Sequence, residues 1–200
     1  MIARASRIDS RDVSPTQTVI SGTRVSIRHL AARDREPLTR AVRASRRLHA
    51  SWVSPPDDDD AFAAYLRRAR QADVECLVVC RNEDRRLAGV YTLSQIFRGP
   101  FQNAYLGYYA LVPFAGQGYM RDGLELVLRR AFGSMGLHRV EANIQPGNLA
   151  SIALVTGAGF RREGYSPRYL KVAGRWRDHE RWAILAEDLR RREPRQGRRT

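Results

Sequence analysis

"GYYALVPFAGQGYMRDGL", residues 107–124, combines a strand pattern, a glycine turn and the start of an amphipathic helix. Residues 107–112 are apolar and aromatic, as expected of a strand, and Gly116 and Gly118 follow. Apolar residues then recur with a period of 3.6, which predicts one buried helix face. These residues are Met120, Leu124, Val127, Leu128 and Ala131.

The glycine turn is suited to hold an anion. The first N–H groups of a helix have no partner inside it, and they carry partial positive charge. Glycine lets a ligand approach the backbone closely, so a phosphate could bind at Gly116 and Gly118. A tight strand–helix turn without a ligand fits the sequence equally well. The turn lacks the third glycine of a dinucleotide fingerprint and the Lys-Ser/Thr of a nucleoside triphosphate loop.

The segments around this stretch predict an α/β protein with a mixed sheet. Short polar turns separate three strand-like segments, 75–81, 87–96 and 104–112, which indicates an antiparallel meander. Only 104–145 is long and regular enough for a parallel crossover. The remaining predicted elements are a strand at 24–30, helices at 33–50 and from Asp57 onward, a strand at 138–145, a helix from Asn148 to Gly157, and two closing strands around Gly174.

Length and composition indicate one domain at residues 23–188, a disordered segment at 1–22 and a basic disordered tail at 189–200. No apolar run approaches the ~20 residues of a membrane helix. The first 22 residues lack the apolar core of a secretory signal. We therefore expect a soluble cytoplasmic protein with no membrane partner.

Cys76 and Cys80 are too far apart along one strand for a disulfide, so we expect two free buried thiols.

Net charge is +14, carried by 34 arginines and a single lysine, Lys171. A genome that favours arginine codons explains this composition, and so does a negatively charged partner such as ribosomal RNA. "RRREPRQGRR" at residues 190–199 concentrates six arginines in a polar tail. This tail fits a solvated disordered segment, and it also fits weak contact with ribosomal RNA.

The four aspartates Asp57–Asp60 follow two prolines and precede a helical pattern. Acidic residues suit the N-terminus of a helix, so capping explains the run. Attraction of a cationic substrate amine is the alternative. Trp52, near the prolines, fits either an acceptor groove or a satellite core.

Several motifs resemble the GNAT superfamily of acetyl-CoA-dependent N-acetyltransferases. The family's pyrophosphate loop reads Q/R-x-x-G-x-G/A. "AGQGYM" (115–120) matches it at Gly118 and departs from it at Ala115 and Met120. "LGYY", "GLHRVEANIQPGNLASIALVTGAGFRREGY" and "GRWRDHERWAI" together look like the branch that acetylates ribosomal-protein alanine, over roughly residues 24–187.

The resemblance implies a GNAT fold with a central mixed sheet of about six to seven strands and about four flanking helices. It implies that the strands at 104–112 and 138–145 splay apart and that the pantetheine arm of acetyl-CoA pairs with free backbone groups near Leu111 and Val112. It places the pyrophosphate on five main-chain amides, those of Gly116, Gln117, Gly118, Tyr119 and Met120. It also implies that Asn148 touches the cofactor arm.

Three side chains are candidates for the chemistry. Glu141 and Asn143 face away from the apolar set of their strand, so Glu141 is a candidate base and Asn143 could orient substrate or water. Ser151 lies in the first turn of the next helix with Asn148 and could contact the cofactor and protonate the departing thiolate. Each has a plain alternative: an ion-paired carboxylate, a polar strand residue and a serine bonded to its own backbone. No histidine or cysteine spacing predicts a metal site.

Three functions follow from these observations. The first is acetyl transfer to the N-terminal α-amine of a protein, with alanine of a small-subunit ribosomal protein as the expected acceptor. An α-amine has a pKa near 7.7–8.0, against about 10.4 for lysine, so it is far more often neutral at pH 7. The second is acetylation of a small amine such as a polyamine or aminoglycoside. The third is a non-catalytic basic module that binds RNA or the ribosome. A monomer and a homodimer are both compatible with the sequence.

Overall fold

Three consecutive strands, β3 (Glu75–Arg81), β4 (Leu87–Ser94) and β5 (Asn103–Ala110), form the centre of the sheet. In the computed structural model, which describes residues 18–192, they pair antiparallel and in sequence order. The predicted meander is confirmed. Polar turns of five to eight residues join these strands, so each strand folds directly back onto its predecessor.

The sheet contains eight strands in the order β1-β2-β3-β4-β5-β6-β8-β7. The outer strands are β1 (Thr18–Ser21), β2 (Val25–His29), β6 (Arg139–Ile144), β7 (Arg161–Val172) and β8 (Arg175–Leu185). The mixed α/β sheet is as predicted, with the edge strand β1 in addition. The prediction of disorder for residues 1–22 is wrong for the four residues of β1, and residues 1–17 lie outside the described part.

Helices cover both faces of the sheet. They are α1 (Arg35–Ala44), α2 (Arg46–His49), α3 (Asp59–Ala69), α4 (Tyr119–Phe132), α5 (Leu149–Ala158) and α6 (Ala186–Arg192). The predicted tail at 189–200 therefore begins inside α6, and its residues 193–200 lie outside the described part. α5 passes through Gly157 and is capped instead by Gly159, whose φ is +98°. Within residues 18–192, no helix is both long enough and apolar enough to cross a membrane.

Two hydrophobic layers define the two faces of the sheet. On the α4/α5 face, the helices pack on alternate strand residues that include Val140, Ala142 and Ile144. On the α1/α3 face, α1 and α3 pack on the opposite set, which includes Tyr109 and Leu111. Strand side chains alternate between faces, so this assignment also orients the residues between them.

Both cysteines lie on β3 in the α1/α3 layer. Cys76 and Cys80 are free and buried, as predicted. Burial raises the pKa of the Cys76 thiol to about 11, so this thiol stays protonated at neutral pH.

A buried ion pair fixes the chain between β2 and α1. Arg28 donates two hydrogen bonds to Asp34, at 2.8 and 2.6 Å, and Asp34 also accepts from the N–H of Ala31 at 2.9 Å. Arg28 is 7% exposed and Asp34 2% exposed. Removing one member would leave the other charge buried without a partner, which costs several kcal/mol.

We expect Asp34→Asn to lower the free energy of unfolding by about 3 kcal/mol, because Arg28 would lose its counter-charge in the interior. Urea unfolding followed by circular dichroism measures the change. Glu36→Gln is the matched control, since Glu36 pairs with Arg40 on the exposed side of α1 and should shift stability by less than about 0.5 kcal/mol. Equal effects of the two substitutions would contradict the assignment.

Candidate active site

A wedge opens between two parallel strands. β5 and β6 pair over three positions, Asn103↔Arg139, Ala104↔Val140 and Tyr105↔Glu141. β5 continues along β4 as far as Ala110, and β6 continues along β8 as far as Ile144. Beyond these three positions β5 stays paired with β4 and β6 with β8, but β5 and β6 separate, as the resemblance to the GNAT superfamily implies.

The backbone groups that face this wedge belong to Tyr108 and Ala110. Leu111 donates its N–H to the carbonyl of Ala88 at 2.9 Å, so its backbone groups point toward β4. Backbone groups of successive residues in an antiparallel strand point to opposite edges, so those of Ala110 and Tyr108 point toward the wedge. Val112 donates its N–H to the Ser45 hydroxyl at 3.0 Å. The N–H groups of Leu111 and Val112 are therefore both hydrogen-bonded already, and the free backbone groups expected near these residues would be those of Tyr108 and Ala110.

The glycine turn leads directly from β5 into α4. Gly116 and Gly118 have φ values of +77° and +85°, a region that favours glycine. Gly118 occupies the N-cap position of α4, so the N–H groups of Tyr119 and Met120 belong to its first turn. The Gln117 side chain donates to Pro113 O at 2.7 Å and closes the turn.

Arg24 is an unpredicted neighbour of this turn. It donates to Asp122 of α4 at 2.7 Å and to the carbonyl of Gln117 at 3.3 Å. Its guanidinium carbon lies 5.1 Å from the ring centre of Tyr119. A Cβ at Gly118 would come within 2.8 Å of an Arg24 nitrogen, so glycine there also makes room for the arginine. Arg24 precedes β2, more than 90 residues away, and no local pattern links it to the turn.

A cavity of about 450 Å³ runs through the wedge and is lined from both faces of the sheet. Residues of the glycine turn, α4 and α5 line it on the α4/α5 side. Residues of α2, the segment after α2, and the outward faces of β5 and β6 line it on the other side. The lining residues that matter below are Leu48, His49, Trp52, Gly107, Tyr108, Arg121, Asn143 and Ser151.

The start of α5 forms one wall of the cavity. The Asn148 side chain accepts from the N–H of Ser151 at 3.2 Å, which confirms the predicted cap. The Tyr108 hydroxyl donates to the carbonyl of Ser151 at 3.3 Å. Burial raises the pKa of Tyr108 to about 12, so the phenol is protonated at neutral pH. Tyr108, Asn148 and Ser151 thus share one wall.

Asn143 and Glu141 lie on the same face of β6 but in different surroundings. Asn143 lines the cavity, and its side-chain oxygen is buried without a hydrogen-bond partner among residues 18–192. Glu141 lies at the closed end of the wedge, opposite Tyr105, and accepts a hydrogen bond from Arg139 at 2.8 Å. Arg139 also binds Glu163. The structure therefore brings Asn143 and Ser151 to one cavity and leaves Glu141 outside it.

His49, at the end of α2, is a cavity residue that the sequence did not single out. Its Nε2 lies 2.8 Å from the carbonyl oxygen of Ala110, so Nε2 carries the hydrogen and donates to that carbonyl. The ring also meets Tyr109 edge-on, with 5.5 Å between ring centres. Burial lowers the pKa of His49, and the backbone hydrogen bond only partly opposes this effect. The imidazole is neutral in this environment.

Among the residues that the structure describes, 18–192, no carboxylate lines the cavity. The acidic run Asp57–Asp60 is used elsewhere: Asp58 caps α3 through the N–H of Ala61 at 2.7 Å, and Asp57 pairs with Arg46 at 3.1 Å. The predicted capping role is confirmed.

Within residues 18–192, no group of three or more histidine, cysteine or acidic side chains could hold a metal ion.

Residues 24–161 match the acetyltransferase (GNAT) domain, and the chain belongs to this family. "Probable N-acetyltransferase YjcK" of Bacillus subtilis is 41% identical over 105 residues, which are 52% of this chain and 58% of that protein. The ribosomal protein uS5-alanine N-acetyltransferase of Escherichia coli is 35% identical over 106 residues, 53% of this chain and 55% of that protein. The chain thus spans somewhat more than half the length of the curated relatives it matches.

The fold also matches solved structures. RimJ of Mycobacterium smegmatis, solved in complex with CoA-disulfide, superimposes with a TM-score of 0.76 at 29% identity. The match covers 82% of this chain and 83% of that one.

We expect the stability of the protein to fall more steeply below pH 6.5 than that of a His49→Gln variant. The folded-state pKa of His49 lies below its ordinary value of about 6.5, so its contribution is complete above that pH and is lost as pH falls through the folded-state pKa. Melting temperatures at pH 7 and pH 5 test this. His179, whose pKa burial also lowers, is present in both proteins and cancels. Identical declines in the two proteins would contradict the expectation.

Proposed function

We propose that the protein transfers the acetyl group of acetyl-CoA to the N-terminal α-amine of a protein. Family membership supports the reaction class, and the wedge supports the meeting of two substrates. The cavity is lined by residues from both faces of the sheet, so we propose that donor and acceptor enter from opposite sides. The chemistry of the cavity lining supports the choice of amine.

Acetyl-CoA fits the side of the cavity that carries the glycine turn. The pyrophosphate would lie on the first-turn amides of α4, with Gly116 and Gly118 leaving the backbone accessible. Ala115 supplies no polar side chain where the family pattern has Gln or Arg. Arg24, which is ion-paired with Asp122, and Arg121 lie beside the same turn, and we propose that their guanidinium N–H groups compensate.

The pantetheine arm would pair with the wedge. The N–H groups of Tyr108 and Ala110 and the carbonyl of Tyr108 face the gap that β6 leaves, and buried backbone groups need hydrogen-bond partners; the carbonyl of Ala110 already accepts from His49. The amides of the arm can supply such partners in the manner of an added strand.

Our choice between a protein N-terminus and a polyamine as the acceptor rests on the absence of carboxylates from the described cavity lining. A polyamine brings two or more positive charges, which need counter-charges when they leave water. This lining offers none, and it contains Arg121, which repels a cation. An α-amine is neutral in a substantial fraction at pH 7, so it can enter without a carboxylate partner. This favours a protein N-terminus over a polyamine.

Three side chains can serve the transfer. The unpartnered oxygen of Asn143 can accept a hydrogen bond from the incoming amine and orient it. Overall the amine loses one proton and the sulfur of CoA gains one. Tyr108 and Ser151 carry hydroxyls on the donor-side wall, and we assign proton delivery to these two. We assign no proton transfer to Glu141, because Arg139 holds it outside the cavity.

We further propose that the acceptor is the N-terminus of a ribosomal protein. The relative from Escherichia coli is named for alanine of ribosomal protein uS5, and this chain is 35% identical to it over 106 residues. A net charge of +14 would also favour approach to ribosomal RNA. The contact of the C-terminal tail with RNA remains a prediction, because residues 193–200 lie outside the described part.

The assay uses the full chain with acetyl-CoA and measures the release of free CoA with a thiol reagent. We expect release with a peptide that begins with Ala, and none with the same peptide acetylated at its N-terminus. Release with spermidine but not with the peptide would assign the small-amine function. CoA binding without release for any amine would assign the binding module.

We expect Gly118→Ala to raise the Kd for CoA at least about tenfold, because the new Cβ displaces Arg24 and strains a backbone with φ of +85°. Calorimetric titration with CoA measures the change. Gly174→Ala is the matched control: its φ is +78°, nothing lies within 4 Å of the new Cβ, and it is in the β7–β8 turn. An unchanged Kd in Gly118→Ala would remove the turn from the CoA site.

A further inference from the structure

Gly107 is a glycine that neither the backbone nor the packing requires. It lies in the interior of β5, where glycine weakens a strand, and its φ lies outside the left-handed region. A Cβ added there would meet nothing within 4 Å. Gly123 differs, since a Cβ at that position would meet Val79 at 2.8 Å. The packing reason that explains Gly123 is missing at Gly107.

The position of Gly107 supplies a different reason. Residues alternate along β5, so Gly107 faces the same side as Tyr109, on the α1/α3 face. Gly107 is exposed, and it lines the cavity. Tyr105 and Tyr109 flank it on the same face, so it forms a gap between two large side chains. An interior strand glycine often marks a place where a ligand approaches the backbone closely.

The surroundings of this gap suit an amine acceptor. Asn143 lies on the same face of the neighbouring strand and lines the cavity, and its buried side-chain oxygen has no hydrogen-bond partner among residues 18–192. His49 and Trp52, from α2 and the segment after it, line the same cavity. This segment is tied to the end of β6, because Gln145 donates to the carbonyl of Ser51 at 3.1 Å. The glycine turn and α5 approach from the other face, so the donor does not need this gap.

We infer that Gly107 forms the floor of the acceptor subsite and that its missing side chain admits the first residue of the acceptor against the backbone of β5. The inference rests on the proposed function. The first residue of the acceptor passes between Gly107 and the side chains of His49 and Trp52, with its amine at Asn143. Any side chain at position 107 would fill this passage while leaving the CoA side unchanged. Gly107 is therefore a specificity-determining residue for the acceptor.

The test uses a conjugate in which the sulfur of CoA is joined through an acetyl group to the amine of an Ala-starting peptide. Its affinity relative to CoA alone measures acceptor binding without any catalysis. In the unmodified protein we expect the conjugate to bind at least tenfold more tightly than CoA. Gly107→Ala should reduce that ratio several-fold, and Gly107→Val should abolish it. The Kd for CoA should change less than twofold in both variants.

Gly157→Ala is the matched control, because this exposed α5 glycine also has open space at its Cβ and lies outside the cavity lining. It should leave both affinities unchanged. Melting curves should show folded Gly107 variants, since β-branched residues favour strands.

If the ratio of the two affinities, conjugate to CoA, stays intact in Gly107→Val, the inference is overturned and the proposed function stands. If the unmodified protein shows no gain for the conjugate over CoA, the acceptor site itself is overturned, and the inference with it.

Discussion

The early end of the ladder between β5 and β6 determines the rest of the active site. Each strand is held along its other edge, β5 by β4 and β6 by β8, so neither needs the missing partner to stay in the sheet. The N–H groups of Tyr108 and Ala110 and the carbonyl of Tyr108 are left facing a gap inside the protein, whereas the carbonyl of Ala110 accepts from His49. A buried backbone group without a partner is costly, which gives an entering amide-containing ligand a favourable place to bind. The gap also turns a closed sheet into one with a passage between its two faces.

Positive charge accumulates where the glycine turn enters α4. Arg81 lies over the ring of Phe114 at 4.6 Å, and Arg86 lies over the same ring at 4.8 Å. Arg24 lies over the ring of Tyr119, the first residue of α4. Arg24 is paired with Asp122, and Arg81 with Glu83 and Asp84, so the excess positive charge around the turn comes from Arg86 and the dipole of α4.

The sequence predicted what depends on local periodicity and missed what depends on distant segments. The burial alternation of β6 was readable, so Asn143 and Glu141 were placed on the correct face. The point where β5 and β6 separate was not readable, because backbone pairing leaves no mark in side-chain patterns. That point leaves Glu141 at the closed end and Asn143 in the cavity. Arg24 and His49 reach the site from segments distant in the chain, and β1 pairs with β2 within a stretch whose composition indicated disorder.

Three glycines near the wedge illustrate how position decides function. Gly118 adopts a left-handed backbone and leaves room for Arg24, and Gly123 lets α4 approach Val79. Gly107 has neither reason, and it is the one of the three that is exposed on the α1/α3 face of the wedge. Glycine weakens a strand, and Gly107 has no role in packing or in the backbone conformation, so a role in ligand binding is the remaining explanation for it. The donor side of the wedge is built from backbone amides and arginines, whereas the acceptor side is built from an empty space beside an unpartnered oxygen. If the proposed acceptor subsite is correct, a slender neutral amine would be selected there by shape and hydrogen bonding, without a charged partner.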